Sequence, residues 1–223
     1  MKYYIYEWTT NTKVVGCVSW GQLELDESKV MTSFLASMKY IDKNPNLKMS
    51  FYKRAKITDV MRCFNIGLVN NAIISERHKS ILEKFNLQSC QFFKIDILNS
   101  KTNKNYFVLH FYNNPFSYAI EIDFEKSTFF ESDLVETLSE ENRIFHTVID
   151  YNDYLRQEKV LKANMLSLLI DKIVFKKTVS PQLDMFTLFP KDDKIYVSEN
   201  LKNELVNAGI SGLEEFVVAS NVC

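Results

Sequence analysis

The chain has 223 residues, 46% hydrophobic and 25% charged, with a net charge of −1 at neutral pH. That length suits one large domain or two small ones and buries a full core without covalent staples. The charge balance supplies no field for nucleic acid or a membrane surface, and five glycines leave little room for phosphate-cradling loops.

Residues 3–8 are rich in aromatic and β-branched side chains and read as a strand. Residues 14–20 are expected to pair with it across a polar turn at 9–13. Strands this aromatic can also pair edge to edge into a homodimer. Residues 28–41 carry Val30, Met31, Phe34, Leu35, Met38 and Ile41 at helical spacing. Asn44-Pro45-Asn46 breaks the chain, residues 49–52 suit a short strand and 57–64 a short helix.

A clearer unit follows. Residues 72–74 form an apolar strand, and Ser75 is a good N-cap because its hydroxyl can accept from an orphan amide of the first turn. Glu76 sits where the helix dipole favours a negative charge. Ile81, Leu82 and Phe85 make the apolar stripe, Asn86 can end the helix in the left-handed conformation, and 91–97 return as a strand. Beyond it, residues 105–112, 117–124 and 144–149 are strand candidates, 151–176 a long helix, and 185–189 a short strand.

The unit recurs at the end: strand 195–197, cap Ser198, acid Glu199, stripe Leu201, Leu205 and Val206, stop Gly209, returning strand 213–218. Glu76, Lys79, Leu82 and Phe93 have identical counterparts 123 residues on in Glu199, Lys202, Leu205 and Phe216. Either a common unit has met itself by chance, or the fold contains a duplication or two equivalent layers. The expected class is α+β, with mixed or antiparallel sheets, packed helices and two similar strand–helix–strand units in one globular fold. One domain over 1–223 is expected. Its alternative division is a lobe of N-terminal strands and helix at 1–56 and a core at 57–223 with a helical insertion at 151–180.

The sequence carries no nucleotide-binding glycine motif and no nucleophile elbow. His78, His110 and His146 have no second histidine or cysteine at ligand spacing, so neither a metal nor a cofactor is expected. His78 lies on a polar helix face and reads as solvated; His110 and His146 alternate within apolar strands and read as hydrogen-bonded structural groups. Cys17, Cys63, Cys90 and Cys223 are scattered, as reduced thiols in a cytosol would be. The first residues do not resemble a signal peptide, and no run of about 18 apolar residues could span a bilayer. The expected location is the cytoplasm.

Charge concentrates between 121 and 141. Glu121, Asp123, Glu125, Glu131, Asp133, Glu136, Glu140 and Glu141 stand against one base, Lys126, giving net −7. Phe124, Phe129, Phe130, Leu134 and Leu138 lie among them. This is either a solvated face with core-facing aromatics or an acidic surface that meets a basic partner and speeds the encounter. A nuclease, which needs a basic cleft, would be such a partner. Two basic groups, Lys48 to Arg62 and Lys172 to Lys177, carry no nucleic-acid motif.

Ile73-Ile74-Ser75-Glu76-Arg77-x-Lys79-x-Ile81-Leu82-Glu83-x-Phe85-x-Leu87, with Phe92-Phe93-x-Ile95, resembles a family of bacterial immunity proteins encoded beside polymorphic toxins, immunity protein family eleven. Tyr106 to His110, then Ala119-Ile120-x-x-Asp123-x-Glu125-Lys126-Ser127-x-Phe129, continue the pattern. So do Ile195 to Lys202 and Ala208-Gly209-x-x-Gly212-Leu213. Order and spacing agree across 57–130 and 183–217; residues 1–50 match nothing, and 151–180 looks inserted. The resemblance implies a non-catalytic cytoplasmic inhibitor whose partner is a cognate toxin, and it carries no catalytic residues. Two alternatives stay open: a small hydrolase with a site assembled from distant residues, and a non-enzymatic regulator or adaptor.

Overall fold

The computed structural model describes residues 2–16, 22–25, 39–63, 71–99, 104–112, 122–133, 166–176, 183–188, 194–220 and 222. Among them the chain is mostly sheet. Its strands are β1 (Tyr3–Tyr6), β2 (Leu23–Leu25), β3 (Lys48–Phe51), β4 (Val60–Met61), β5 (Asn71–Ser75), β6 (Cys90–Ile97), β7 (Tyr106–Phe111), β8 (Thr128–Asp133), β9 (Leu166–Lys172), β10 (Met185–Thr187), β11 (Ile195–Ser198) and β12 (Val217–Val218). Three short helices accompany them: α1 (Thr12–Val15), α2 (Glu76–Leu82) and α3 (Glu199–Asn207). None is long and apolar enough to cross a membrane.

One sheet runs β2-β3-β6-β7-β5-β4, a second β10-β11-β1-β12, and β8 pairs with β9. All strand pairs are antiparallel except β3 with β6. The six-stranded sheet nearly closes on itself, because Leu23 of one edge bridges Cys63 beyond the other and the amides of Gln22 and Leu23 donate to Arg62 O. Tyr106, Met49, Phe93 and Ile95 fill its interior. Tyr3, Phe129, Phe186 and Tyr196 form a second core, and a third joins α2 and α3 to β1, β5, β7 and β11. Mixed and antiparallel sheets were expected, and the described residues hold them, with less helix among those residues than the expectation of packed helices.

The two capped helices form as their sequences direct. Ser75 Oγ accepts from the amide of His78 (3.2 Å) and donates to Asp59 Oδ1 (2.8 Å). Asp59 Oδ2 accepts from the amide (3.1 Å) and hydroxyl (2.9 Å) of Ser211. Ser198 Oγ likewise accepts from Leu201 N (3.2 Å) and donates to Asp184 Oδ1 (2.6 Å), and Asp184 Oδ2 accepts from Asn86 N (3.1 Å). Each helix is therefore tied through an aspartate to the loop that follows the other helix.

Several expectations are corrected. Of the partner strand expected for β1 at 14–20, residues 14–15 belong instead to one helical turn, 12–15, and 17–20 lie outside the described residues. Asn11 Oδ1 caps Lys13 N, and Gly16 takes φ +76° where a Cβ would meet Arg54 O at 2.4 Å. Both edges of β1 are used, by β11 and β12, so it is not an open edge for a homodimer. Residues 60–61 are strand, not helix: Val60 faces the third core and Met61 the interior of the six-stranded sheet, so both are buried and no helical stripe exists. The helix α2 stops at Leu82 with Glu83 as its cap, and Asn86 is held by Asp184 instead of turning left-handed.

Residues 166–172, read as part of a long helix and of a helical insertion, form β9 against β8. A continuous apolar run fits a buried strand as well as a helix, and length misled here. Val206 is 59% exposed, so the α3 stripe is Leu201 and Leu205. The returning strand at 213–218 shrinks to β12 and a bridge from Leu213 to Trp8. The predicted helix at 28–41 lies outside the described residues up to 38, as do the strand at 144–149 and most of that at 117–124.

Candidate partner-binding site

Glu121, Glu136, Glu140 and Glu141 lie outside the described residues. Glu131 and Asp133 are β8 positions opposite Leu168 and Leu166. Asp123 forms a local pair, its Oδ2 accepting from Lys126 Nζ at 2.6 Å, and that bond holds its carboxyl below the ordinary range. Glu125 is exposed. The neighbouring Ile122, Phe124 and Phe129 are core residues, as the solvated-face reading requires of the aromatics.

The described histidines are enclosed. His110 is buried with Nε2 3.0 Å from Lys39 O, the hydrogen-bonded structural group expected. His78 is not solvated: it is 0% exposed and neither ring nitrogen has a hydrogen-bond partner. The Tyr6 hydroxyl beside it also has none, with ring centroids 5.8 Å apart. Burial drives the His78 pKa down to about 4; the Asp59 charge opposes this and the Arg77 charge adds to it. The helix presents this histidine to β1, whose approach local periodicity does not reveal. His146, Cys17 and Cys223 lie outside the described residues. Cys63 is buried, and burial, then the Glu83 charge, pushes the Cys90 thiol up to about 11, the opposite of an activated nucleophile. Among the described residues no three potential ligands gather into a metal site.

A cleft of about 400 Å³ opens where β1 runs out between the start of β11 and the approach to β12. Its walls include Glu7, Trp8, Arg62, Lys194 and Glu214. The Arg62 guanidinium lies over the Trp8 ring, 5.5 Å from its centroid. Glu214 Oε1 accepts from Thr9 Oγ1 (2.8 Å) and Thr10 N (3.0 Å), fixing the wall. Nearby Gly212, at φ +92°, lets the chain pass so close to β4 that a Cβ would meet Val60 O at 2.2 Å. Volumes of this size suit a side chain or short segment of a ligand. Sequence reasoning missed the cleft because its residues come from four separate stretches; the adjacency of an acid and a tryptophan at 7–8 was the one local signal.

No curated protein matches the sequence. The family model described as Immunity protein family (Imm11) matches residues 23–220, nearly the whole chain, and so includes residues 23–50, which resembled nothing nameable. The chain belongs to the Imm11 immunity protein family.

Proposed function

We propose that this protein binds a cognate toxin in the bacterial cytoplasm and occludes its active site, protecting the producing cell during competition between bacteria. The observation that carries the reading is the family match over residues 23–220. The cleft and the acidic positions around β8 are the surfaces offered to such a partner, and a basic-cleft effector such as a nuclease fits the latter. Among the described residues the hydrolase alternative finds only enclosed histidines and a suppressed thiol. Co-expression with the toxin domain encoded beside this gene tests the reading. Rescue of growth and a stoichiometric complex are expected; continued killing with no complex would sink it.

The frame that carries these surfaces is read as two copies of one unit. The order β4-β5-β7-β6 has its counterpart in β10-β11-β1-β12, while β8 and β9 pair as a separate two-stranded sheet that meets the second unit through an isolated bridge. Val222, just past β12, runs parallel to Ile173, just past β9, as β6 runs parallel to β3. The Glu76 amide donates to Asn105 O and the Glu199 amide to Lys2 O. Lys79 lies 5.4 Å from the Phe107 ring and Lys202 4.2 Å from the Tyr4 ring. Phe107 pairs with Ile74 and Tyr4 with Val197, so the lysines hold the same place in each ladder. In the second copy, the strand that should come last is supplied from the front of the chain, as β1.

A further inference from the structure

The cleft has a counterpart in the other unit, and there the chain itself fills it. Tyr6 stands opposite Ile195 as Leu109 stands opposite Ala72. One residue further, Glu7 corresponds to His110 and Lys194 to Asn71. Leu213 bridges Trp8 as Cys90 pairs with Phe111, so Trp8 corresponds to Phe111 and Glu214 to Gln91. At the counterpart, residues 39–41 lie across the sheet end. The Gln91 side chain grips Ile41 by both backbone groups, accepting from its N–H and donating to its C=O, each at 2.9 Å. His110 Nε2 meets Lys39 O at 3.0 Å, and the Tyr40 ring packs edge-on against Tyr112 at 5.2 Å.

Two exchanges change what the open cleft can hold. Gln91 both donates and accepts, and His110 faces a carbonyl, which can only accept. Glu214 and Glu7 are carboxylates and can only accept. Glu214 Oε1 is already engaged, which leaves Oε2 and the exposed Glu7 carboxylate as acceptors among the described residues. The two cations of the same walls, Arg62 and Lys194, already hold partners, and Arg62 lies over the Trp8 ring. An occupant that brings donors, and a cation most of all, therefore gains charge-assisted bonds to the two carboxylates.

We propose that the cleft takes an extended segment of the bound toxin carrying a lysine or arginine, laid across Trp8 as residues 39–41 are laid across the other unit. The proposal rests on the toxin-binding reading above for the identity of the partner. The cleft's chemistry is tested without the toxin. The ¹⁵N-labelled full chain is titrated with a blocked heptapeptide centred on Lys-Tyr-Arg and with its Glu-Tyr-Glu analogue. Shifts confined to the Trp8 indole and the amides of Lys194 and Glu214 are expected with the basic peptide, at least tenfold weaker with the acidic one and in Glu7→Lys. Equal response to both peptides, no response at millimolar peptide, or full binding by Glu7→Lys overturns the proposal. A second arm uses the toxin domain. Toxin bound equally by wild type and Glu7→Lys removes the cleft from the interface and leaves toxin binding standing. Toxin not bound by wild type removes the toxin reading, and the peptide arm still decides the cleft.

Discussion

His78 and Tyr6 pack ring to ring in the core, 5.8 Å apart and tilted by 56°, and none of their three polar atoms is hydrogen-bonded. The corresponding residue of α3, three after the capping serine, is the buried Leu201. A core that could be apolar here holds a neutral imidazole.

Stability should therefore fall on acidification. The His78 pKa is depressed to about 4 in the folded chain, so the unfolded chain binds the proton more readily once pH drops below 6.5. The contribution is fully present above that value and lost as pH falls towards about 4, at most about 3 kcal/mol. Urea unfolding at pH 7 and pH 4.5 measures it. His78→Leu should flatten the dependence in this window; an unchanged slope would show that other groups carry it.

The aspartate ties should matter more than ordinary surface polar groups. Burial works to raise the Asp59 pKa, but the bonds from Ser211 and Ser75 outweigh it and hold the carboxyl below its usual value. Asp59→Ala strands the Ser75 hydroxyl and frees the loop at Ser211, a loss of about 2–3 kcal/mol. Ser75→Ala, losing a cap, should cost about 1 kcal/mol. Thermal melts of both variants rank the two effects, and a reversed order would contradict the hydrogen-bond assignment.

Two glycines with left-handed backbones should respond differently. Gly212→Ala drives a methyl into Val60 O, whereas at Gly209 the nearest atom, Arg77 Nη2, is 4.0 Å away. Gly209→Ala should cost only the conformational strain, about 1 kcal/mol, and Gly212→Ala clearly more. Denaturant midpoints of the pair read the difference directly.

The acidic positions and the cleft should act on different phases of toxin binding. Glu131, Asp133 and Glu136 reversed to lysine should slow association while leaving the fold intact, since steering charges act on the encounter. Glu7→Lys should mainly speed dissociation by at least tenfold. Surface-plasmon kinetics at two salt concentrations separate the two. Association that ignores the triple reversal would make the acidic run ordinary solvated surface.

The legible parts of the fold were those written locally. Ser75 and Ser198 announced their helices because a cap is a contact between residues three apart, and β6 and β7 announced themselves by composition. The partners of β1 were illegible because Tyr3 pairs with Ser198, far along the chain. His78 looked solvated for the same reason: its neighbours on α2 are polar, and what buries it arrives from β1. At β9 the apolar run was seen, but the choice of strand over helix came from β8. The cleft combines both difficulties, since Arg62, Lys194 and Glu214 meet Trp8 only when the two sheets are assembled.

The placement of β1 also dictates the order in which the molecule can be completed. β1 lies between β11 and β12, which are made long after it, so the β10-β11-β1-β12 sheet cannot close until residues 195–218 have been made. Until then Tyr3, Tyr4 and Tyr6 wait without their ladder, an aromatic segment open to strand exchange. Synthesis should leave the β2–β7 sheet folded first, and the arrival of β11 and β12 is what retires the hazard at β1.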